Sequence, residues 1–277
     1  MPGSDLNDTA AEPGGPKLPG HELSPLLTRA GFRHAFFTRQ GGASEGPFES
    51  LSFSTAVGDA PDHVAENLAR AGRLLGVEAE RILYLSQVHG KQVHFYREAQ
   101  TRDAVITLEG DAIGGCYANT AYGVRSADCV PVLVADEASG AVMAIHAGWR
   151  GVVAGAVEAG VLALREAGAG HRGRLLAAIG PHISLPAFEV SEDVAAELVA
   201  ACPAPNAAAV VERLPDHPKP HIDLRALVTQ KLLALGLGQA DIDQVGGCTV
   251  LAPARYFSFR RDGKRSGRHL SAIVPRG

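Results

Sequence analysis

The sequence predicts an α+β protein in which helices pack outside a mixed β-sheet. Short apolar runs typical of strands alternate with longer segments of helical periodicity. In addition, the two apolar runs 130–135 and 141–145 are separated only by a polar turn, which indicates a β-hairpin. A hairpin combined with helix-linked strands implies a mixed sheet covered by helices.

Residues 1–20 are rich in Gly and Pro and have too few apolar residues to order themselves, so they are predicted to form a flexible tail before a single domain, residues 21–277. Helices are predicted over 65–75, 152–167, 191–201 (with Ser191 as the N-cap) and 224–235. Besides the hairpin, strands are predicted over 93–96, 104–107, 175–179 and 210–212, and the proline-rich segment 214–220 is predicted to be a loop.

The hairpin places two chemically reactive side chains near each other. If its turn is centred on Glu137 and Ala138, Cys129 lies directly opposite His146. Opposed residues have Cβ atoms about 4.5–5.5 Å apart. That separation suits one zinc ion, bound about 2.3 Å from sulfur and about 2.0 Å from an imidazole nitrogen. Pro131 weakens this interpretation, because proline cannot donate to a strand ladder.

A third candidate ligand, His89, follows the apolar run 82–85 and precedes Gly90, where a strand would meet a turn. Three ligands leave a fourth zinc position open, which is typical of a catalytic site. The alternative is that Cys129 is a small core residue, that His89 and His146 are hydrogen-bonded polar groups, and that Trp149 is packing.

Composition limits the other classes of function. The net charge of −4 gives no general attraction to nucleic acid, and no apolar stretch approaches the roughly 20 residues of a membrane helix. The four cysteines have no CxxC spacing, and no secretory signal precedes them. These features predict a cytoplasmic protein without nucleic-acid or membrane partners. The oligomeric state stays open.

Several motifs in the same order resemble the bacterial YfiH family, also called the multicopper polyphenol oxidase or laccase-domain family. They are Thr38-Arg39-Gln40-Gly41-Gly42, Val57-Gly58-Asp59, Glu66-Asn67, Gln87-Val88-His89-Gly90, Ala127-Asp128-Cys129, His146-Ala147-Gly148-Trp149-Arg150-Gly151, Ile179-Gly180-Pro181, Cys248-Thr249, Phe257-Ser258-Phe259-Arg260-Arg261-Asp262 and Gly267-Arg268. The chain departs from the family at Ser52, where relatives usually carry Asn.

The resemblance implies a layered α/β sandwich and a zinc ion on His89, Cys129 and His146, which would also be the catalytic residues. It implies a purine nucleoside phosphorylase for adenosine, inosine, guanosine and methylthioadenosine, with adenosine deamination as a second activity. Phosphorolysis needs a cationic cradle, and the planar fork of arginine matches phosphate oxygens. Arg39, Arg150 and Arg261 are the candidates, since each lies within two residues of a glycine in or beside a matched motif, which suits close approach of the backbone to a ligand. The proton shuttle for deamination stays open, because the usual deaminase signature is missing from the sequence.

Other functions remain in competition. A laccase-like polyphenol oxidase is disfavoured, because the eleven histidines include no His-x-His pair, and Pro218 and Pro220 forbid a helix joining His217 to His221, which are read as loop. Copper would nevertheless bind a Cys and two His. A peptidoglycan-precursor editing amidase would use the same open site, or Cys129 as a nucleophile. A nonenzymatic nucleoside-binding module is the alternative of a different class.

Overall fold

A computed structural model describes residues 18–168, 173–203, 207–213, 215 and 217–277. The strands are β1 (His21–Glu22), β2 (His34–Phe37), β3 (Ile82–Leu83), β4 (Val93–Tyr96), β5 (Ala112–Gly115), β6 (Ala121–Ser126), β7 (Val130–Asp136), β8 (Val142–Ala147), β9 (Leu175–Ile179), β10 (Val211–Glu212), β11 (His221–Ile222), β12 (Ile242–Gln244) and β13 (His269–Ile273). The helices are α1 (Pro25–Arg29), α2 (Pro61–Leu75), α3 (Arg102–Val105), α4 (Trp149–Ala154), α5 (Ala156–Ala167), α6 (Glu192–Ala200), α7 (Leu224–Ala234) and α8 (Phe259–Asp262).

Two mixed sheets form the centre of the fold. One sheet has the strand order β12, β9, β7, β8, β5, β4, with parallel pairs at its two edges and antiparallel pairs between them. The other has the order β1, β2, β13, β6, β3, in which only β3 and β6 pair in parallel. A small third sheet joins β10 to β11.

The sheets stack face to face with helices on both outer sides. One apolar core lies between the sheets and contains Phe36, Tyr122, Leu133 and Leu176. A second core packs α5 and α7 against the six-stranded sheet, and a third packs α2 against the five-stranded sheet. The predicted α+β class and its layered sandwich with outer helices are confirmed.

Helix α2 shows how the sequence specifies one of these outer layers. Its buried residues include Val64, Leu68, Ala71 and Leu75, at the three- and four-residue spacing that puts side chains on one face. The helix ends at Gly76, which adopts a left-handed conformation with φ of 66°. Glycine carries no Cβ penalty there, so the chain turns away from the helix at that point.

The predicted register of the β7–β8 hairpin is wrong. Val130 faces Ala147 and Pro131 faces His146, so Cys129 does not lie opposite His146. The turn is centred on Ala138 and Ser139, where Gly140 donates its N–H to the Asp136 carbonyl (2.9 Å) and adopts a φ of 74°, which glycine accommodates. The centre of the hairpin therefore lies one residue further along the chain.

Other element predictions need smaller corrections. The predicted strand 104–107 is wrong, because Arg102–Val105 is a single helical turn closed by the Ile106 N–H on the Arg102 carbonyl. The predicted helix 152–167 is two helices, α4 and α5, separated by Gly155 at a φ of 91°. Most of the predicted tail, residues 1–17, and positions 214 and 216 of the predicted proline-rich loop lie outside the described residues.

Within the described ranges, no helix has both the length and the apolar character needed to cross a membrane.

Candidate active site

His89, Cys129 and His146 come together despite the shifted register. One potential ligand atom from each lies within 4.8 Å of the other two. The Cys129 Sγ is 3.7 Å from the His89 Nε2, and the two imidazole rings are 4.9 Å apart. Cys129 immediately precedes β7 and His146 lies in β8, so the sheet holds two of the three donors while a loop supplies His89. The cluster is able to hold a metal ion.

Gly148 leaves the space that this cluster occupies. A Cβ atom at position 148 would lie 2.6 Å from the His89 Cδ2 and 3.0 Å from the Cys129 Sγ. Both distances are shorter than ordinary van der Waals contact. A glycine is therefore required at this position for sulfur and imidazole to approach each other.

Asp111 orients two of the three side chains and was missed in the sequence. Its Oδ1 is 2.8 Å from the His146 Nδ1 and accepts the His89 N–H at 2.9 Å. Its Oδ2 accepts the backbone N–H groups of Gly90 at 2.7 Å and Val88 at 3.2 Å. A carboxylate on Nδ1 leaves Nε2 of His146 free for a metal, as is common for histidine ligands. Burial alone would raise the pKa of Asp111, but the hydrogen bonds from His146 and the backbone lower it.

The Asp111 contacts also hold the loop that carries His89. His89 has a φ of 60°, a left-handed conformation that is uncommon for a residue with a Cβ. Gln87 fixes the other side of this loop, since its side chain donates to the Arg125 carbonyl at 2.7 Å and accepts the Arg125 N–H at 2.8 Å. The loop is thus fastened to the ends of two strands.

Cys129 and His146 have opposite pKa shifts. Burial alone would raise the pKa of Cys129, but the charge of His146 and hydrogen bonds with both histidines lower it to about 6. Burial alone would lower the pKa of His146, but the Cys129 thiolate and Asp111 raise it to about 9. The thiolate is the form that binds metals, and a histidine ligand must be neutral. Metal binding near neutral pH would therefore release a proton from His146.

The cluster opens into a cavity of about 650 Å³, within the usual range for small-ligand sites. Its aromatic lining residues are Trp149, Phe188 and Phe259. Its basic lining residues are Arg125, Arg150, Arg260 and Arg268. A cavity with flat aromatic surfaces and several guanidinium groups suits a planar ligand together with an anion.

Of the three predicted phosphate-binding arginines, only Arg150 lines this cavity. It is exposed and its guanidinium lies 4.4 Å from the centre of the Trp149 ring. Arg39 donates to the carbonyls of Glu49 and Pro253. Arg261 donates to the carbonyls of Thr249, Val250 and Tyr256 and pairs with Asp262. The structure does not bring Arg39 and Arg261 together with Arg150 in the cavity lining.

Arg125 and Arg268 are cavity residues that were not predicted. In the described part of the chain, neither forms an ion pair, and their polar contacts are backbone carbonyls. Burial lowers the pKa of both guanidinium groups. The charge of Arg268 lowers the pKa of Arg125 further, whereas Cys129 and Asp128 partly oppose the effect of burial on Arg268. Two partly buried guanidinium groups that line one cavity, without an ion-pair partner among the described residues, favour a bound anion.

Asp128 joins the loops around the cavity. Its Oδ1 accepts the Thr249 hydroxyl at 2.5 Å, and its Oδ2 accepts the backbone N–H of Arg260 at 2.6 Å. Both oxygens therefore already have partners that fix the Cys-Thr motif and the start of α8.

Ser52, at the position where the resemblance led us to expect Asn, lies beneath the part of the wall that carries Arg268. It is fully buried, and its hydroxyl accepts the backbone N–H of Arg268 at 3.3 Å. Its carbonyl accepts the Asn67 side chain at 2.8 Å. Ser52 thus supports the backbone of a cavity arginine.

A layered α+β sandwich that gathers a thiolate and two imidazoles beside an arginine-rich cavity defines a candidate metalloenzyme for small molecules. Residues 33–276 match the family model described as multi-copper polyphenol oxidoreductase laccase. The chain belongs to this family, the YfiH family, as its motifs indicated.

Relatives in several bacteria support the assignment. Purine nucleoside phosphorylase ORF3 of Streptomyces griseus is 36% identical over 242 residues, covering 87% of this chain and 93% of the relative. Purine nucleoside phosphorylase YfiH of Shigella flexneri is 36% identical over 242 residues, covering 85% of this chain and 90% of the relative. The crystal structure of YlmD from Geobacillus stearothermophilus superposes with a TM-score of 0.80 and 30% identity, covering 92% of this chain and 94% of that chain.

Proposed function

We propose that the protein is a zinc-dependent purine nucleoside phosphorylase acting on adenosine, inosine, guanosine and methylthioadenosine, with adenosine deamination as a second reaction. The observation that carries the proposal is the His89–Cys129–His146 cluster sharing one cavity with unpaired arginines. The names of its relatives in Streptomyces griseus and Shigella flexneri point to the same reaction.

The donor set fits zinc. A thiolate and two imidazoles are common zinc ligands, and three protein ligands leave a position for substrate or water. Asp111 contacts the ring nitrogen of His146 in the way that carboxylates orient zinc-bound histidines. When bound there, zinc supplies a Lewis acid that polarises an oxygen atom of a substrate, a phosphate or a water molecule.

We place phosphate binding on Arg125 and Arg268, with Arg150 at the exposed side of the cavity. Arginine offers paired N–H donors that match two phosphate oxygens. The fixed guanidinium groups would hold a phosphate oxygen against C1′ of the ribose, so that a C1′–O bond forms as the bond to the purine nitrogen breaks. The purine then leaves with a proton, and ribose 1-phosphate remains.

The aromatic lining residues are suited to hold the purine. Trp149 begins α4, shortly after the strand that carries His146, and lines the cavity, and Phe259 is half exposed on α8. Flat aromatic rings bind a purine face through dispersion and stacking without reading its substituents. This mode of binding is compatible with adenosine, inosine and guanosine as alternative substrates.

Copper-dependent phenol oxidation is the second candidate, because the family model carries that name and a thiolate with two imidazoles also binds copper strongly.

The first experiment compares metal-analysed wild type with Cys129→Ala, each given adenosine with and without phosphate. Cys116→Ala, a change at an exposed cysteine away from the cavity lining, is the matched control.

Phosphate-dependent adenine from wild type and Cys116→Ala, but not from Cys129→Ala, is the expected result by chromatography. Inosine would demonstrate deamination. Absence of turnover in protein shown to contain zinc would reject the nucleoside assignment. In that case a muramyl-amide substrate, a phenol with copper and oxygen, or binding without turnover would be tested next.

A further inference from the structure

A second group of potential metal ligands includes Glu189, a residue of the cavity lining, and two histidines outside that lining. One ligand atom from each of Glu189, His217 and His221 lies within 4.8 Å of the other two. The His217 Nδ1 is 3.7 Å from the Glu189 Oε2, and the two imidazole rings are 4.9 Å apart. No function proposed above uses these three residues.

We propose that Glu189, His217 and His221 form a second cation site for a divalent transition metal of the Zn²⁺ class. Two imidazoles and one carboxylate are ligands that zinc and its neighbours accept, and this site has no sulfur donor. It is therefore chemically distinct from the His89–Cys129–His146 cluster.

The fold builds this site from two chain segments. Glu189 and His221 form an antiparallel bridge, and the segments around them exchange hydrogen bonds from the Val190 N–H to the Pro220 carbonyl (3.0 Å) and from the Ile222 N–H to the Phe188 carbonyl (3.1 Å). Pro218 and Pro220 do prevent a helix between the histidines, as the sequence indicated. The bent loop nevertheless returns His217 to the side of His221.

His221 provides an independent indication of a missing partner. The residue is 1% exposed, and its Nδ1 is buried without a hydrogen-bond partner among the residues that the structure describes. A buried polar nitrogen without a partner costs stability, so its retention in a native fold needs an explanation. A bound cation beside this ring would supply one.

The neighbouring charges define what must move when a metal binds. The Lys219 ammonium is 3.4 Å from the Glu189 Oε1, and its side chain is 58% exposed. His217 is 50% exposed. Both side chains lie at the surface, so metal binding requires only that Lys219 leave the carboxylate and that His217 turn towards the cation. Arg260 adds a positive charge nearby, because its Nη1 donates to the Glu189 carbonyl at 3.0 Å.

The position of the site links it to the cavity. Phe188, Glu189, Val190 and Ser191 all line the cavity that contains the first cluster. A cation on Glu189 would fasten this wall segment to the loop that carries His217. Its effect would be on the wall of the cavity and not on the His89–Cys129–His146 donors.

Zinc stoichiometry and affinity test the site. Equilibrium dialysis with metal analysis would be run on wild type and on Cys129→Ser, which removes the sulfur donor of the first cluster. His217→Ala and Glu189→Gln would then be added separately to Cys129→Ser, with Glu192→Gln as the matched control, since Glu192 is an exposed acid that pairs with Arg213 nearby. Circular dichroism would verify that each variant folds.

We expect Cys129→Ser to keep one zinc site that His217→Ala and Glu189→Gln each weaken at least about tenfold, because losing even a group that orients a ligand costs roughly 10- to 100-fold. Glu192→Gln should leave it unchanged, and Lys219→Gln should tighten it. Co²⁺ at this site should lack the thiolate-to-metal absorption of the first cluster. Absence of zinc binding by folded Cys129→Ser, or binding that survives both ligand variants, would overturn the proposal.

Discussion

Replacing Asp111 with asparagine should weaken metal binding at the His89–Cys129–His146 cluster by about 10- to 100-fold, or about 1.4–2.7 kcal/mol. The carboxylate contacts His146 and the His89 N–H through one oxygen, and it accepts the Gly90 and Val88 N–H groups through the other. An amide has only one oxygen. In either orientation its NH₂ group faces donors, so either the ring of His146 or the loop that carries His89 loses its support.

Competition with a chromogenic chelator at fixed pH measures this loss of zinc affinity. Asp136→Asn is the matched control, because Asp136 is as buried as Asp111 and also accepts a backbone N–H, that of Ala138. Asp136 lies at the end of β7 opposite to Cys129. That variant should lose stability but keep its zinc affinity. If folded Asp111→Asn bound zinc as tightly as wild type, the role given to Asp111 would be wrong.

Three further predictions concern the space, charge and acid sensitivity of the fold. Gly148→Ala should weaken zinc binding, since its Cβ would crowd His89; chelator competition that shows unchanged affinity would contradict this. Arg268→Gln should raise the KM for phosphate about 10- to 150-fold, because a hydrogen bond to a charged group contributes about 1.5–3 kcal/mol. The control Arg261→Gln should mainly lower Tm. Burial lowers the pKa of His269 from 6.5 to about 3. Between these two pH values the imidazole binds a proton in the unfolded chain but stays neutral in the folded chain. The free energy of unfolding should therefore fall by about 1.4 kcal/mol per pH unit from this residue; His269→Gln should flatten the slope in chemical denaturation, and an equal slope would refute the assignment.

The layered fold follows from sequence signals that act over short distances. The strands 93–96 and 175–179 were predicted with their observed bounds, because apolar runs of that length between polar or glycine-containing segments favour strands. The hairpin was recognised as well. Its register depended on which two residues lie at the centre of the turn, and moving that centre by one residue changes the partner of every residue in the hairpin.

The donors of the first cluster were found because Cys and His in compact motifs are distinctive. Asp111 and Arg125 were missed because they lie at or within strands β5 and β6, whose small and glycine-containing sequences gave no strand signal. Their roles arise from contacts across the sheet, Asp111 with His146 and Arg125 with Gln87. Such contacts depend on tertiary packing, which local patterns do not specify.

The same limit applies to the arginines. A glycine two residues from Arg39 and from Arg261 suggested close approach to a ligand, but those guanidinium groups donate to backbone carbonyls. Arg268 follows Gly267 in an equally short motif and lines the cavity instead. Motif membership identified the right region of the chain but not the direction of each side chain.

Phosphorus NMR of metal-analysed protein incubated with inosine and inorganic phosphate tests the central claim most directly. The account predicts a pentose 1-phosphate signal that grows in step with hypoxanthine in wild type and is lost in Cys129→Ala. Hypoxanthine without the sugar phosphate, or no product from protein that contains its zinc, would contradict it.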